Sequence, residues 1–286
     1  MPQQLRFAKV DHRRDSVYRS VYRTDVRTSG AMRSPAFSSR FSRALVFSAT
    51  TLTALFGARA AHACGASTGG VAGLSACSVT EHEEEARSKW HAGASYSYTS
   101  TGVRFDSVRP DEIRHGVVAT LEASPFPELS IQVGAGAILG GSLTTPTGKY
   151  DIDPGALLVV GGSYRFIDAK GARPFVLATL GLTFSGSQTT LQGATQTKAL
   201  YDAFDMRAGG VVGWNIARLI SPYAVARAFG GPVYWTYQNQ STTGTDVHHF
   251  QIGAGLGIAL GKRFDLFVEG VPLGEVGVSA GLGVSL

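Results

Sequence analysis

The chain has 286 residues and a formal net charge of +5, with 36 glycines and two cysteines. Residues 1–63 hold 11 Lys and Arg but only 3 Asp and Glu. The remaining 223 residues hold 15 basic and 18 acidic side chains, so they offer no excess of positive charge for binding nucleic acid. They also contain 34 of the 36 glycines, about twice the average usage, which argues against a helical protein or a doubly wound α/β enzyme.

Residues 1–63 have the pattern of an export leader. Two arginines precede an apolar run at 44–57, and Ala61-His62-Ala63 fits the small-x-small site of signal peptidase. The apolar run is too short to cross a bilayer as a helix, which needs about 20 residues. Met32 is an alternative start that gives a leader of ordinary length. The leader predicts export from the cytoplasm.

Residues 64–89 are predicted to form an N-terminal tail in the periplasm. Cys64 and Cys77 are the only cysteines of the chain, and an oxidising compartment allows them to form a disulfide. Cys64 also follows the predicted cleavage site directly, where a bacterial lipoprotein carries its lipidated cysteine. Lipidation of Cys64 would exclude the disulfide, and the spacing leaves both alternatives open.

From Trp90 onward, apolar residues alternate with glycine and polar residues in one segment after another. In 250–260, for example, Phe, Ile, Ala, Leu, Ile and Leu occupy one face, while Gln and three glycines share the other. This period of two predicts β-strands with one apolar face. Ten segments show it, although the seventh is ambiguous because Arg227 shares a face with apolar residues: 90–98, 116–122, 129–137, 158–166, 176–185, 204–216, 222–235, 250–260, 264–269 and 276–286.

The lengths of the strands and of their connections favour a membrane barrel. Many segments reach the roughly 9–11 residues that a membrane strand needs, whereas soluble strands centre near 5–6. Aromatic side chains gather at the strand ends, as in interfacial girdles: Trp90, Phe126, Phe166, Phe184, Trp214, Tyr223, Tyr234, Trp235 and Phe264. Short joints at 124–127, 168–173, 217–221 and 261–263 alternate with longer polar loops near 99–112, 140–154, 186–202 and 236–245.

Short turns on one rim and long loops on the other are typical of outer-membrane barrels. We therefore predict that residues 90–286 form an all-β fold, a single closed antiparallel up-and-down transmembrane β-barrel of ten strands. Eight strands is the alternative, because Pro272–Glu275 would make an unusually tight outer loop. An even number of strands places both ends of the barrel on the short-turn, periplasmic rim.

The last strand carries a pattern of polar-x-Gly-x-x-apolar-x-apolar, formed by Ser279, Gly281, Val284 and Leu286. With it, residues 90–286 resemble the small bacterial outer-membrane β-barrel proteins, although that family usually ends in an aromatic residue. The resemblance implies a location in the outer membrane of a Gram-negative bacterium, with the barrel-insertion machinery, periplasmic chaperones, outer-membrane lipid and lipopolysaccharide as partners. It does not imply a particular activity, because this fold hosts anchors, pores, adhesins and enzymes.

Ionisable residues on the glycine-rich face are predicted to point into the lumen. A ten-stranded barrel is only slightly wider than the eight-stranded size that side chains fill, and unpaired buried charges are costly. We therefore predict an Arg–carboxylate network, which would place Arg227 inside because at mid-depth in lipid it would cost about 2–4 kcal/mol. The same groups could instead line a narrow, wet, passive pore. The predicted members are His91, Glu122, Arg165, Asp205, Arg207, Arg227, Asp265 and Glu269.

No motif predicts catalysis, a cofactor or a metal site. Omptin-like barrel proteases pair aspartates with an Asp-His pair on the outer rim, and Asp151, Asp153, Asp246 and His248 are the nearest candidates. Adjacent strand residues such as His248 and His249 point to opposite faces and cannot easily share one ion. We therefore predict no enzymatic activity and regard an outer-membrane hydrolase as the less favoured reading.

The predicted function is a structural or interaction role in the outer membrane, or a narrow passive pore. The nearly uncharged loops 187–197 and 237–245 would provide a polar contact surface outside the cell. The competing class is a secreted soluble β-barrel that binds a small apolar ligand. That class requires apolar residues inside and polar residues outside, the inverse of the split seen in the strands.

Overall fold

The computed structural model describes residues 90–286, except 107, 170–172, 194–197, 218, 238–239 and 262, and except the side chains of Tyr237 and Gln240. The predicted leader, the predicted tail and the Cys64–Cys77 alternative lie outside the described residues. Among the described residues, no helix is long and apolar enough to cross a membrane.

The described chain forms one antiparallel sheet of thirteen strands. The strands are β1 Trp90–Phe105, β2 Asp111–Phe126, β3 Leu129–Thr145, β4 Gly148–Ile152, β5 Gly155–Ile167, β6 Phe175–Leu191, β7 Lys198–Gly213, β8 Ile220–Gly230, β9 Pro232–Tyr237, β10 Gln240–Asp246, β11 Phe250–Leu260, β12 Phe264–Leu273 and β13 Val276–Ser285.

The hydrogen bonding of the sheet closes into a ring. Strand β1 pairs with β2 on one side and with β13 on the other, so that Ser97 lies between Gly116 and Ser279. Beyond the end of the β12–β13 hairpin, β1 pairs directly with β10, with Val103 opposite Asp246. Because every strand has neighbours on both sides, the sheet has no free edge. The all-β, closed antiparallel architecture predicted from the alternation is therefore confirmed.

The predicted count of ten strands is not confirmed, because the predicted strand 222–235 is interrupted and two further strands, β4 and β10, lie in predicted loops. Segments β4 and β5 are separated by residues 153–154 and pair with the same two neighbours, β3 and β6. Gly231 separates β8 from β9, which both pair with β7. Residues 247–249 separate β10 from β11, which pair with β9 and β8 respectively. These interruptions account for the difference between ten and thirteen.

Four regions predicted as long polar loops are largely strand. Strand β1 continues to Phe105, β3 to Thr145 and β6 to Leu191, and β4 and β10 lie in the same regions. Apolar and polar side chains still alternate there, but the apolar ones point inward and the polar ones outward, which is the reverse of the rest of each strand. The inward side chains form a core that we call the cap core, and its members are Val103, Phe105, Leu143, Tyr150, Tyr201, Val233 and Trp235.

The remainder of each strand presents apolar side chains outward. In β12, Leu266 and Val268 are exposed, whereas Asp265 and Glu269 are buried in the lumen. The outward residues form an apolar band around the ring, with Phe250, at 73% exposure, its most exposed member. Aromatic side chains border the band on the rim that carries both ends of the barrel, which we call the terminal rim: Trp90, Phe126, Phe166, Trp214 and Phe264.

Two aromatic residues predicted for the outer girdles lie inside instead. Tyr223 is buried in the lumen, where its hydroxyl group donates a hydrogen bond to Glu269. Trp235 is 1% exposed and belongs to the cap core. Both residues alternate with outward-facing neighbours, so the period of two, and not their position near a strand end, decides which face they occupy.

Candidate functional site

The lumen is the candidate site, and one buried ion pair lies near its centre. The Arg227 guanidinium on β8 donates hydrogen bonds of 2.6 and 2.9 Å to the two carboxylate oxygens of Glu269 on β12. The Tyr223 hydroxyl group donates a third, at 3.2 Å, to the same carboxylate. Arg227 is 3% exposed and Glu269 is 5% exposed. The two Nη groups and the two carboxylate oxygens form a bidentate pair, which connects β8 with β12 across the lumen side of β11.

A second ion group is centred on Arg207 of β7. Its guanidinium donates to both carboxylate oxygens of Glu275, at 2.9 and 3.0 Å, and to the side-chain oxygen of Gln251 at 3.0 Å. It also donates to Asp205 on the same strand and lies 5.0 Å from the ring centroid of Phe229. Arg207 therefore links β7 with β11 and with the hairpin between β12 and β13.

The hairpin turn that supplies Glu275 depends on a glycine. Gly274 has a φ of +89°, and a Cβ atom there would lie 1.8 Å from the carbonyl oxygen of Phe250. Only glycine fits such a close backbone approach with positive φ. The turn ends the hairpin below the cap and brings the Glu275 side chain into the lumen.

A third group joins the ion network to the cap core. The Tyr201 hydroxyl group donates to Glu112 at 2.9 Å, and the Arg114 Nε atom lies 3.6 Å from the other oxygen of Glu112. Arg114 also donates to Ser185 at 3.2 Å.

Asp246 ends β10 at the base of the cap, beyond the apolar band. Burial, reinforced by nearby carboxylates, raises the pKa of Asp246 to about 7.

Another polar cluster lies close to the terminal rim. His91 Nε2 and Asp265 Oδ2 are 3.4 Å apart, and both side chains are buried. Glu122 is the register partner of His91 on β2 and is buried too. Arg165 pairs with Asp168 at 3.2 Å near the β5–β6 connection.

Apolar side chains fill much of the remaining lumen. One cluster contains Ala169, Phe175, Leu177, Val211, Tyr223 and Val225. A second contains Val118, Leu157 and Val159. In the cap core, Trp235 Nε1 donates to the Thr189 hydroxyl group at 2.9 Å. The cavities that border Arg227 and Arg207 measure about 20 and 10 Å³, roughly enough for one water molecule each. The described lumen is thus packed at several heights.

The structure divides the predicted charge network into separate groups. It brings together Arg207 with Asp205, Arg227 with Glu269, and His91 with Asp265, whereas Arg165 has a partner outside the predicted set. Six further members were not predicted, and they are Glu112, Arg114, Tyr201, Tyr223, Gln251 and Glu275. Glu112 and Arg114 share the inward face of Gly116, which is a signal in the sequence, but Glu112 lies in the predicted loop 99–112 and Arg114 lies between that loop and the predicted strand 116–122.

The four residues of the predicted assembly signal lie on β13 and directly after it. Ser279 points into the lumen and pairs in register with Ser97 and Glu269. Val284 pairs with Ala92 and Phe264, and the backbone N–H of Leu286 donates to the Trp90 carbonyl oxygen at 3.1 Å. Gly281 also lies within this paired strand. The signal residues therefore belong to the seam that closes the ring, and recognition by insertion machinery stays a prediction.

The protease-like candidates have different neighbours. Asp151 accepts a hydrogen bond from Gln192 at 2.6 Å, and Asp153 lies 3.4 Å from Lys198. Asp246 instead pairs in register with Val103 on β1. Among the residues that the structure describes, no three His, Cys, Asp or Glu side chains are arranged to hold a metal ion. The absence of catalysis stays a prediction.

No protein-family model and no curated protein sequence matches this chain. Solved structures show weak similarity, and three of them each share 11% sequence identity with this chain. The transport unit of the autotransporter AIDA-I from Escherichia coli has a TM-score of 0.40, with 72% of this chain and 92% of that chain covered. The translocator domain of the autotransporter NalP from Neisseria meningitidis has a TM-score of 0.42, with 70% and 89% covered.

The third is a mutant of the monoaromatic hydrocarbon channel TodX, with a TM-score of 0.30 and coverage of 69% of this chain and 66% of that chain. TM-scores below 0.5 at this identity assign no function to the present chain. The barrel architecture rests on the strand pairing described above.

Proposed function

We propose that this protein is an integral outer-membrane β-barrel with a closed lumen and a structural or interaction role in the bacterial cell envelope. The observation that carries the proposal is the apolar band on the outside of a ring without free edges. A closed barrel is the only sheet that satisfies all backbone hydrogen bonds within lipid. A water-soluble barrel would expose this band, and contiguous apolar patches of such extent are rare on soluble proteins.

The filling of the lumen favours a plug over a pore. The buried Arg227–Glu269 and Arg207–Glu275 pairs connect strands across the lumen, and removal of one partner from such a pair typically costs about 3–5 kcal/mol. The cap core adds Trp235 and Tyr201, both 1% exposed, at the far end. A passage for solutes would require these groups to move apart.

In this proposal the terminal rim faces the periplasm and the cap faces the outside. The barrel-insertion machinery would act on the closing strand β13, and periplasmic chaperones would carry the unfolded chain to it. The polar outward surface of the cap strands would meet other molecules of the cell surface. No cofactor or enzymatic activity is part of the proposal.

A narrow passive pore is the second candidate. The observation that favours it is the pair of small cavities beside Arg227 and Arg207, which adjoin charged side chains and could hold water. A chain of such waters would conduct ions only if the ion pairs open transiently.

Two measurements test the proposal in sequence. Membrane-fraction protein is run on gels with and without boiling, since closed outer-membrane barrels commonly resist detergent until heated. A heat-dependent shift is expected, whereas protein found without a shift in the soluble periplasmic fraction would favour the secreted ligand-binding barrel. The shifted protein is then placed in a planar bilayer, where no steady conductance is expected. Steady conductance that changes in Glu269→Ala would favour the pore.

A further inference from the structure

A groove of about 490 Å³ lies on the outward face of the barrel, where β1 to β4 pass from the apolar band to the cap. It follows an irregularity in the sheet, because the pairing of β2 with β3 shifts register between His115 and Gly116. Gly140 is the outward register partner of His115 and has no side chain to fill the space between the neighbouring strands. The groove is open to the outside and separate from the lumen.

The groove changes in character from the apolar band toward the cap. Tyr96, His115 and Leu139 line the end that borders the apolar band. Ile113, Ser142 and Asp151 form one row nearer the cap, and Lys149 lies beyond that row. An amphiphile at the boundary between hydrocarbon and water would contact both ends of the groove, with its acyl chains beside the band and its headgroup beside the cap.

Some of the polar side chains of the groove already have hydrogen-bond partners within the protein. His115 Nδ1 is hydrogen-bonded to the Tyr96 hydroxyl group at 2.7 Å, and Asp151 accepts from Gln192 at 2.6 Å. Lys149 is exposed and forms no ion pair with a described residue. The groove therefore offers one unpaired cation beside hydrogen-bonding groups that the protein itself positions.

We propose that the groove binds one phosphorylated glycolipid of the outer leaflet. The Lys149 ammonium group contacts the phosphate, Ser142 hydrogen-bonds to a sugar hydroxyl group, and the first acyl carbons lie against Leu139 and Tyr96. The inference rests on the proposed outer-membrane location and adds a defined lipid site to it. An ammonium group at the cap end of an open groove favours an anionic headgroup over a neutral one.

The test measures retention of lipid by the full-length protein purified from membranes, by native mass spectrometry in detergent. The probes are a bis-phosphorylated hexa-acyl glucosamine disaccharide, its dephosphorylated counterpart and phosphatidylglycerol. One adduct of the phosphorylated disaccharide is expected, with at least tenfold lower retention of the other two probes. Lys149→Glu should lower retention of the phosphorylated disaccharide at least tenfold.

The control is Arg104→Glu, which makes the same change of charge on an exposed cap residue of β1 outside the groove. It should retain the lipid as the unmodified protein does. Ser142→Trp, which fills the groove without a change of charge, should lower retention at least tenfold. Equal retention by Lys149→Glu and Arg104→Glu would overturn the inference, as would full retention by Ser142→Trp or retention of phosphatidylglycerol equal to that of the phosphorylated disaccharide.

Gel mobility separates this inference from the proposed function. A heat-dependent shift in every variant, together with unselective lipid retention, overturns the lipid site and leaves the barrel proposal intact. Loss of the shift in the unmodified protein overturns the proposed function itself.

Discussion

Removal of the Glu269 carboxylate is the sharpest perturbation of the lumen. Glu269→Ala would delete two hydrogen bonds from Arg227 and one from Tyr223, and would leave a guanidinium group of a residue that is 3% exposed without its partner. Breaking a buried ion pair in this way costs about 3–5 kcal/mol, because the remaining charge stays desolvated. We expect the free energy of unfolding to fall by that amount.

The double variant Arg227→Met, Glu269→Leu distinguishes the loss of the pair from the loss of packing. It removes both charges and keeps most of the volume, so it should recover most of the stability lost in Glu269→Ala. Asp168→Ala is the matched control, since it breaks the Arg165–Asp168 pair at an exposed carboxylate. Exposed pairs contribute about 0–1 kcal/mol, and a loss in that range is expected.

The assay is urea unfolding of the barrel in phosphatidylcholine vesicles, followed by tryptophan fluorescence, with the slope of the transition compared between variants. A loss below about 1 kcal/mol for Glu269→Ala would refute the reasoning, because it would mean that water reaches the Arg227 guanidinium. In that case the lumen is wet, and the pore candidate becomes the better account of the charged residues.

Three further predictions address packing, lipid contact and pH. Gly255→Ala would place a Cβ atom 2.3 Å from the Tyr223 ring, so we expect urea unfolding to show a loss of about 1–3 kcal/mol, whereas no loss would indicate a loose lumen. Val268→Arg on the band should lower the stability of the inserted barrel by about 2–4 kcal/mol and reduce the fraction of protein that shows the heat-dependent gel shift. Thr144→Arg on the outward cap surface should leave both unchanged. Equal gel-shifted fractions in the two variants would contradict lipid contact at Val268. The pKa of Asp246 is raised from 3.8 to about 7 in the folded protein. Between those pH values the carboxyl group ionises in the unfolded chain but not in the folded one, so the free energy of unfolding falls as pH rises. Asp246→Asn should therefore raise stability at pH 8, by at most about 4 kcal/mol, and leave it unchanged near pH 4, and an equal gain at both would contradict the assignment.

The alternation of side chains made the fold predictable, because a period of two assigns every residue of a strand to one face. Arg227 shows how far this extends. The cost of placing its charge in lipid predicts an inward position, and the structure buries it against Glu269. The predicted outward positions of Tyr223 and Trp235 are wrong, because alternation along the strand decides the face of a residue and nearness to a strand end does not.

The cap and part of the ion network could not be predicted in the same way. Polar, glycine-containing sequence around Leu143 and Tyr150 is predicted as loop when only an apolar outward face is taken as the mark of a strand. The period of two is present there, but the apolar side chains point inward and the polar ones outward. Glu275 offered no periodic signal, because its side chain enters the lumen from a turn whose course depends on Gly274.

The exchange of faces along a single strand indicates where the surroundings change. On β1, Tyr96 points outward below the exchange, and Val103 and Phe105 point inward above it. The register places Ser100, Ile113 and Ser142 in one row between these two regions. An apolar side chain gains by leaving water, so it faces outward only where the outside is not water. That row therefore marks the outer boundary of the hydrocarbon in the proposed orientation, and the groove that we assign to a glycolipid lies along it.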